Sequence, residues 1–209
     1  MSNSLAIAAV TATLQSILTA EVTADPDLND TTVTLMPLDK ARGTNTNNQL
    51  NLFLYQVLRD AAWSNQNMPR QTQSGETAFP PLPLNLFYLI TAYGRDNDVA
   101  RPFGHELLGK AMGVLHDHAV LSPDEIKAAS AGALSRSDLD QQIERIRITL
   151  QPLSLEEISK LWTGFATQYR LSAAYEVAVA FDERNGYLVG SRQPILGRKA
   201  GPQLRDFLQ

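Results

Sequence analysis

Residues 143–182 open with Ile143-Glu144-Arg145-Ile146-Arg147-Ile148-Thr149-Leu150-Gln151-Pro152-Leu153-Ser154-Leu155-Glu156-Glu157-Ile158 and close with Tyr169-Arg170-Leu171-Ser172-Ala173-Ala174-Tyr175-Glu176-Val177-Ala178-Val179-Ala180-Phe181-Asp182. In the first run Ile146, Ile148 and Leu150 alternate with Arg145, Arg147 and Thr149, the period of two of a half-buried strand. Ser154 followed three residues later by Glu157 is a capping box, and Leu153 and Ile158 stand where a hydrophobic staple needs them, so a helix starts there. In the second run Leu171, Ala173, Tyr175, Val177, Val179 and Phe181 share one face of a strand, with Arg170, Ser172, Glu176 and Asp182 on the other. Strand, capped helix and long strand follow with no catalytic motif among them. The stretch specifies geometry strongly and chemistry weakly.

Working outward, Ile7, Val10, Leu14, Ile17 and Leu18 recur at helical spacing, with Ser2 or Ser4 as a cap and Asp25-Pro26 as a stop. A helix is expected over about 5–22. Val33 and Leu35 mark a short strand stopped by Pro37, and residues 39–48 form a polar, turn-rich loop. Leu50, Leu52 and Leu54 alternate with Asn51, Phe53, Tyr55 and Val57; two largely apolar faces predict a central strand covered on part of both sides. Residues 58–82 read as a long, arm-like loop around Trp63, and Leu84, Leu86, Tyr88 and Ile90 as another long strand ending at Tyr93-Gly94. A helix start is read at Asp96 to Asp98, with an apolar face from Phe103, Leu107, Leu108, Ala111, Val114 and Leu115. Ser122-Pro123-Asp124-Glu125 is a second capping signature, with Leu121 and Ile126 as its staple. The expected fold is α+β, one domain in the order α-β-β-β-α-β-α-β, a mostly antiparallel or mixed sheet flanked by helices. That domain spans 1–182. Residues 183–209, punctuated by Gly190, Pro194, Gly197, Gly201 and Pro202, read as an extended basic tail.

The chain of 209 residues is long enough for one sizeable core, and 44% hydrophobic with 19% charged residues is a globular composition. A net charge of -4 argues against a general nucleic-acid binder. The absence of cysteine removes disulfides and thiolate chemistry. The N-terminus lacks the basic start and unbroken apolar run of a signal peptide, and no stretch reaches the ~20 apolar residues of a membrane span, so no membrane insertion is expected.

The one eye-catching cluster is His116-Asp117-His118. Residues two apart on a helix point in different directions, and only His105 remains as a third imidazole, so a metal-dependent enzyme built on His116 and His118 is the remote alternative. The plainer reading is a helix end where histidines favour the negative pole of the dipole. Gly109 and Gly113 are expected to allow close helix packing. Catalytic, cofactor and metal residues are therefore assigned as none. Arg145, Arg147 and Arg170 form a basic stripe if their strands are adjacent, or else an ordinary solvated face. In the tail, Tyr187, Arg192, Ile195, Arg198 and Lys199 interleave charge with apolar anchors. Such a segment either orders on a partner or stays disordered. These eight residues are the candidate partner interface.

Several blocks, taken together and in order, resemble one family. They are the opening Ser2-Asn3-Ser4-Leu5-Ala6-Ile7-Ala8-Ala9-Val10-Thr11, then Asn48 to Tyr55, Pro83 to Gly94, Leu107 to Met112 with Leu115-His116-Asp117, Ile148 to Glu157 with Lys160-Leu161-Trp162, and Tyr169 to Ser172 with Tyr175-Glu176-Val177. The chain up to about Asp182 resembles the cap, or tail-terminator, proteins of phage-tail-like contractile injection systems of the antifeeding-prophage and virulence-cassette type. The resemblance implies a homo-hexameric ring at the end distal to the baseplate, closing the inner tube and anchoring the last sheath ring. It implies sheath and tube proteins as partners, no enzymatic role, and assembly in the bacterial cytoplasm of a particle that is then released or retained. A sheath/tube adaptor or tail-completion protein at another position is the alternative within that class.

Overall fold

The structure is a computed structural model and describes residues 5–61, 82–95, 101–141 and 145–181. Its elements are α1 (Ala6–Thr23), β1 (Thr32–Thr34), β2 (Gln49–Arg59), β3 (Leu82–Tyr93), α2 (Phe103–Asp117), α3 (Pro123–Ala129), β4 (Arg147–Gln151), α4 (Leu155–Gly164) and β5 (Ser172–Phe181). The five strands form one sheet in the order β1-β2-β3-β5-β4. β1 runs parallel to β2, and every other pair is antiparallel. The α+β architecture and mixed sheet match the sequence reading. The order gains one helix, because the Ser122 signature opens α3 separately from α2.

Strand periodicity sorts the side chains onto two faces. Leu50 and Leu52 of β2, Leu86, Tyr88 and Ile90 of β3, Val177 and Val179 of β5 and Ile148 of β4 join one buried cluster with α1, α2 and α3. α1 contributes Val10, Leu14, Ile17, Leu18 and Val22, a stripe at helical spacing. The length of α1 and its mean hydropathy of 1.3 would by themselves suffice for a membrane span. That stripe is instead consumed by the core. The Tyr88 hydroxyl, deep in this cluster, bonds Thr11 Oγ1 at 2.8 Å, and burial pushes its pKa far up. On the other face the buried cluster is small: Leu38, Leu89, Trp162 and Ala174. Phe53 of β2 meets Phe165 edge-on at 5.1 Å beneath α4.

Four details depart from the sequence reading. β2 lies second in the sheet, between β1 and β3, and β3 is the central strand, although the first half of β2 is buried on both faces as expected. Leu150, expected inside, is half exposed at the far end of edge strand β4. α2 starts after Pro102, not at Asp96 to Asp98, which lie outside the described residues. Gly109 and Gly113 face open space rather than packing closely. The close approach is at Gly94 instead, where an added Cβ would meet the Gly104 nitrogen at 2.8 Å. Ser2 and Ser4, and most of the arm expected around Trp63, also lie outside the described residues.

Candidate assembly surfaces

The two edges of the sheet are treated differently. On β1 the outward carbonyl of Val33 accepts a hydrogen bond from Gln15 Nε2 of α1 at 3.0 Å, so this three-residue edge is closed by a side chain. On β4 the first half is closed by the segment after α2: Leu121 N donates to Ile146 O at 3.0 Å and Ile148 N to Ala119 O at 2.8 Å. Backbone groups facing an antiparallel edge repeat every second residue, so those of Leu150 face the same way as those of Ile148. Leu150 has no such partner among the described residues, and its side chain is 49% exposed. Pro152 ends the strand one residue beyond Gln151. Among the described residues the sheet therefore offers one short open edge.

Arg145 and Arg147 lie exposed at the start of β4. Their strand is adjacent to β5, but the expected stripe with Arg170 does not form. Arg147 is in register with Ala178, and Arg170 lies eight positions back along the same line. At about 3.3 Å per residue that is roughly 25 Å. Antiparallel pairing puts the start of β4 against the end of β5, so the two ends of the sheet each receive part of the basic set. Tyr187, Arg192, Ile195, Arg198 and Lys199 lie outside the described residues.

The histidines are also separated by their surroundings. His118 Nδ1 sits 2.6 Å from Glu125 Oε1, and the same carboxylate accepts from Ser122 N and Ser122 Oγ at 2.7 Å. Burial works against ionisation of Glu125, but the bonds from Ser122 and His118 outweigh it and lower the pKa. His118 thus ties the end of α2 to the capping box of α3, while His116 and Asp117 are exposed. Among the described residues no group of three or more His, Asp or Glu side chains is arranged to hold a metal.

A cleft of about 380 Å³ opens where the end of β3, the start of α2 and the start of β5 meet. Arg95 and Arg101 each lie 4.9 Å from the centre of the Phe103 ring. Both are pinned by carboxylates: Arg95 by Asp30 at 3.1 Å, Arg101 by Asp27 at 2.8 Å and Glu106 at 2.6 Å. The hydrogen bonds from these arginines hold Asp27 and Asp30 below the usual carboxylate range. Arg42 comes from the β1–β2 loop, bonds Gly94 O at 2.8 Å and Asn47 O at 2.6 Å, and lies over the Tyr93 ring. A buried amide network fixes that loop: Asn51 clamps both backbone groups of Met36, and Gln49 bonds Thr34 Oγ1 and Ala41 O. Arg170 and His105 also line this cleft, and they are the two lining residues that the sequence reading weighs as site candidates. The only sequence signal for the rest is their residue type, since Arg42 and Arg95 come together through the register of β2 and β3.

Residues 9–187 match the family model described as the Pvc16 N-terminal domain. The chain belongs to this family. Its fold is shared with the sheath/tube terminator of PVC, an extracellular contractile injection system, in the extended state, with a TM-score of 0.61 at 16% identity. It is shared as well with the tube-terminating cap of the anti-feeding prophage AFP, with a TM-score of 0.56 at 14% identity. These alignments cover 97% and 92% of this chain but 65% and 60% of the two solved chains, so the chain spans less than two thirds of their length. No curated protein matches the chain.

Proposed function

We propose that this protein is a structural cap of a contractile injection particle, forming a ring at its distal end that terminates the inner tube and anchors the last sheath ring. The observation that carries this reading is the fold: more than nine-tenths of the chain superimposes on two terminators that themselves belong to such particles. The physical design agrees. The core is large on one face of the sheet, and charged groups such as Glu125, Glu157, Asp27 and Asp30 serve caps and ion pairs. A subunit that adds to a growing end needs stiffness and an edge to offer. The free half of β4 is where a strand from an adjoining tube or sheath subunit would add, with Arg145 and Arg147 exposed at the opposite, closed end of the strand. Heterologous contacts between copies would close into a homo-hexameric ring instead of running on as a filament. The domain of 1–182 carries the body of the cap, and the tail of 183–209, with Tyr187, Arg192, Ile195, Arg198 and Lys199, ties it to a neighbouring surface. In this reading the protein is not an enzyme, binds no nucleic acid, does not insert into membrane, and joins the particle in the bacterial cytoplasm.

The test is assembly of particles with and without this protein, imaged by electron microscopy. Without it, tubes and sheaths of irregular length are expected, and labelled protein should appear as a sixfold ring at the end opposite the baseplate. Label at the baseplate or along the sheath would instead assign an adaptor or completion role. Normal particle lengths in its absence would overturn the proposal. Removing residues 183–209 should leave the body folded and loosen the cap.

A further inference from the structure

We propose that residues 119–121 are a releasable cover over the edge of β4, and that lifting this cover lengthens the edge on which a partner strand docks. The inference rests on the reading of β4 as the docking edge. The need for release follows from the bonds on offer. Leu150 by itself presents one N–H and one C=O, too short a ladder to hold a strand. The next outward N–H along β4 is that of Ile148, and Ala119 O occupies it at 2.8 Å. Moving Ala119 aside joins Ile148 to Leu150 and offers an incoming strand two successive outward residues.

The cover is built to lift from one end. It holds β4 through two backbone hydrogen bonds, the second from Leu121 N to Ile146 O at 3.0 Å. Ala119 and Val120 are exposed, so lifting them uncovers little apolar surface. Leu121 is buried in the same core cluster as Ile126 and serves as the hinge. The free end is held by side chains. Glu125 Oε1 lies 2.6 Å from His118 Nδ1, while Glu125 Oε2 accepts from Ser122 N and Ser122 Oγ at 2.7 Å. One carboxylate thus ties the residue before the cover to the residue after it. The His118 and Glu125 side chains are 30% and 26% exposed, so water competes for the tie, and it can break without unfolding the core.

The first experiment is native-state amide exchange of the isotopically labelled full chain, followed by NMR. Ile148 should exchange through a local opening, insensitive to low urea and about a hundredfold faster than Leu89 in the central strand. His118→Ala and Glu125→Gln, which weaken the tie, should each speed Ile148 about five- to tenfold, the scale of a charge-assisted hydrogen bond discounted for exposure. Ser154→Ala, at the cap of α4, should leave Ile148 unchanged. Exchange of Ile148 at the Leu89 rate, or native exchange in both tie variants, overturns the proposal. The second experiment locks the cover. Val120 and Arg147 form a non-hydrogen-bonded bridge, a pairing close enough for a disulfide, and the chain has no cysteine of its own. Val120→Cys with Arg147→Cys, oxidised with diamide, should fail to hold the last sheath ring in assembled particles, and dithiothreitol should restore it. Equal behaviour of the oxidised and reduced pair overturns the proposal. The exchange measurement uses the isolated chain, so its failure leaves the cap reading intact. A cap reading lost by imaging would, in turn, leave the measured opening standing.

Discussion

The two faces of the sheet are built to different standards. On one, Leu86, Tyr88 and Ile90 of β3 are wholly buried under three helices, and α1 alone commits seven buried residues to that cluster. On the other, α4 buries only Trp162, over Leu89 and Ala174, and the indole N–H of Trp162 has no hydrogen-bond partner among the described residues. The first face holds the domain together. The second carries a plate whose own helix is set by local signals: a capping box at one end and, at the other, Ala166 N bonded to Thr163 O with Thr167 N to Trp162 O. A strong local signal is what a helix needs when tertiary packing supplies little.

The contrast between the faces is tested hardest in the larger core. Leu86→Ala should cost about 4 kcal/mol, because a fully buried leucine leaves a cavity among side chains that cannot collapse into it. Urea denaturation measures this, and a loss under about 1 kcal/mol would show that the first face is not the main core. Trp162→Ala should cost about 3 kcal/mol, toward the low end for its class because the unpartnered N–H is removed as well. Its effect should stay local: hydrogen exchange in α4 should accelerate while α1 and β3 keep their protection. Uniform acceleration would make the two faces one cooperative unit.

The two capping boxes sharpen the contrast. Ser154→Ala and Ser122→Ala should each cost about 1 kcal/mol, read as lowered melting temperatures. Ser122→Ala should cost more, since Glu125 is partly buried and also holds His118, whereas the Ser154 box is exposed. Equal losses would mean that burial of the cap does not matter here. Both Glu125 and Glu157 have lowered pKa values, Glu157 chiefly through the Ser154 backbone N–H. The sign follows: their contribution is complete above the unfolded value near 4.5 and is lost as pH falls through the lower folded values. Acid melts should therefore narrow the gap between each variant and the native chain.

The smallest change should run the other way. Ala166 ends α4 with φ of 50°, a left-handed position normally given to glycine. Ala166→Gly should stabilise by roughly 0.5 to 1 kcal/mol, the relief of a side chain in that region less the entropy of a freer unfolded chain. A drop in melting temperature would show that the Ala166 methyl packs usefully on the second face.

Much of this was legible in the residues. Alternation located β2, β3, β4 and β5, and the Ser154 and Ser122 boxes located two helix starts, because both signals are local and repeat within a few residues. The errors came where a distant element decided the outcome. Leu150 obeys the alternation yet is exposed on edge strand β4. Gly109 and Gly113 look like packing glycines, but their helix face points outward, and the close contact is made by Gly94. Arg145, Arg147 and Arg170 do come from neighbouring strands, yet antiparallel register sends them to opposite ends.

The sequence alone determined the α+β class, the strand faces, the capped helices and the family likeness, because periodicity, capping and ordered motifs are written within short stretches of chain. Only the tertiary structure decided which strand is central, which edge Gln15 closes and which Leu150 leaves open, and that Tyr93, Arg101 and Arg170 line one cleft. Those facts depend on strand register and on contacts between residues tens of positions apart, such as Arg42 with Gly94 and Gln15 with Val33. No local pattern encodes the pairing of one segment with another, so that information appears only when the chain closes on itself.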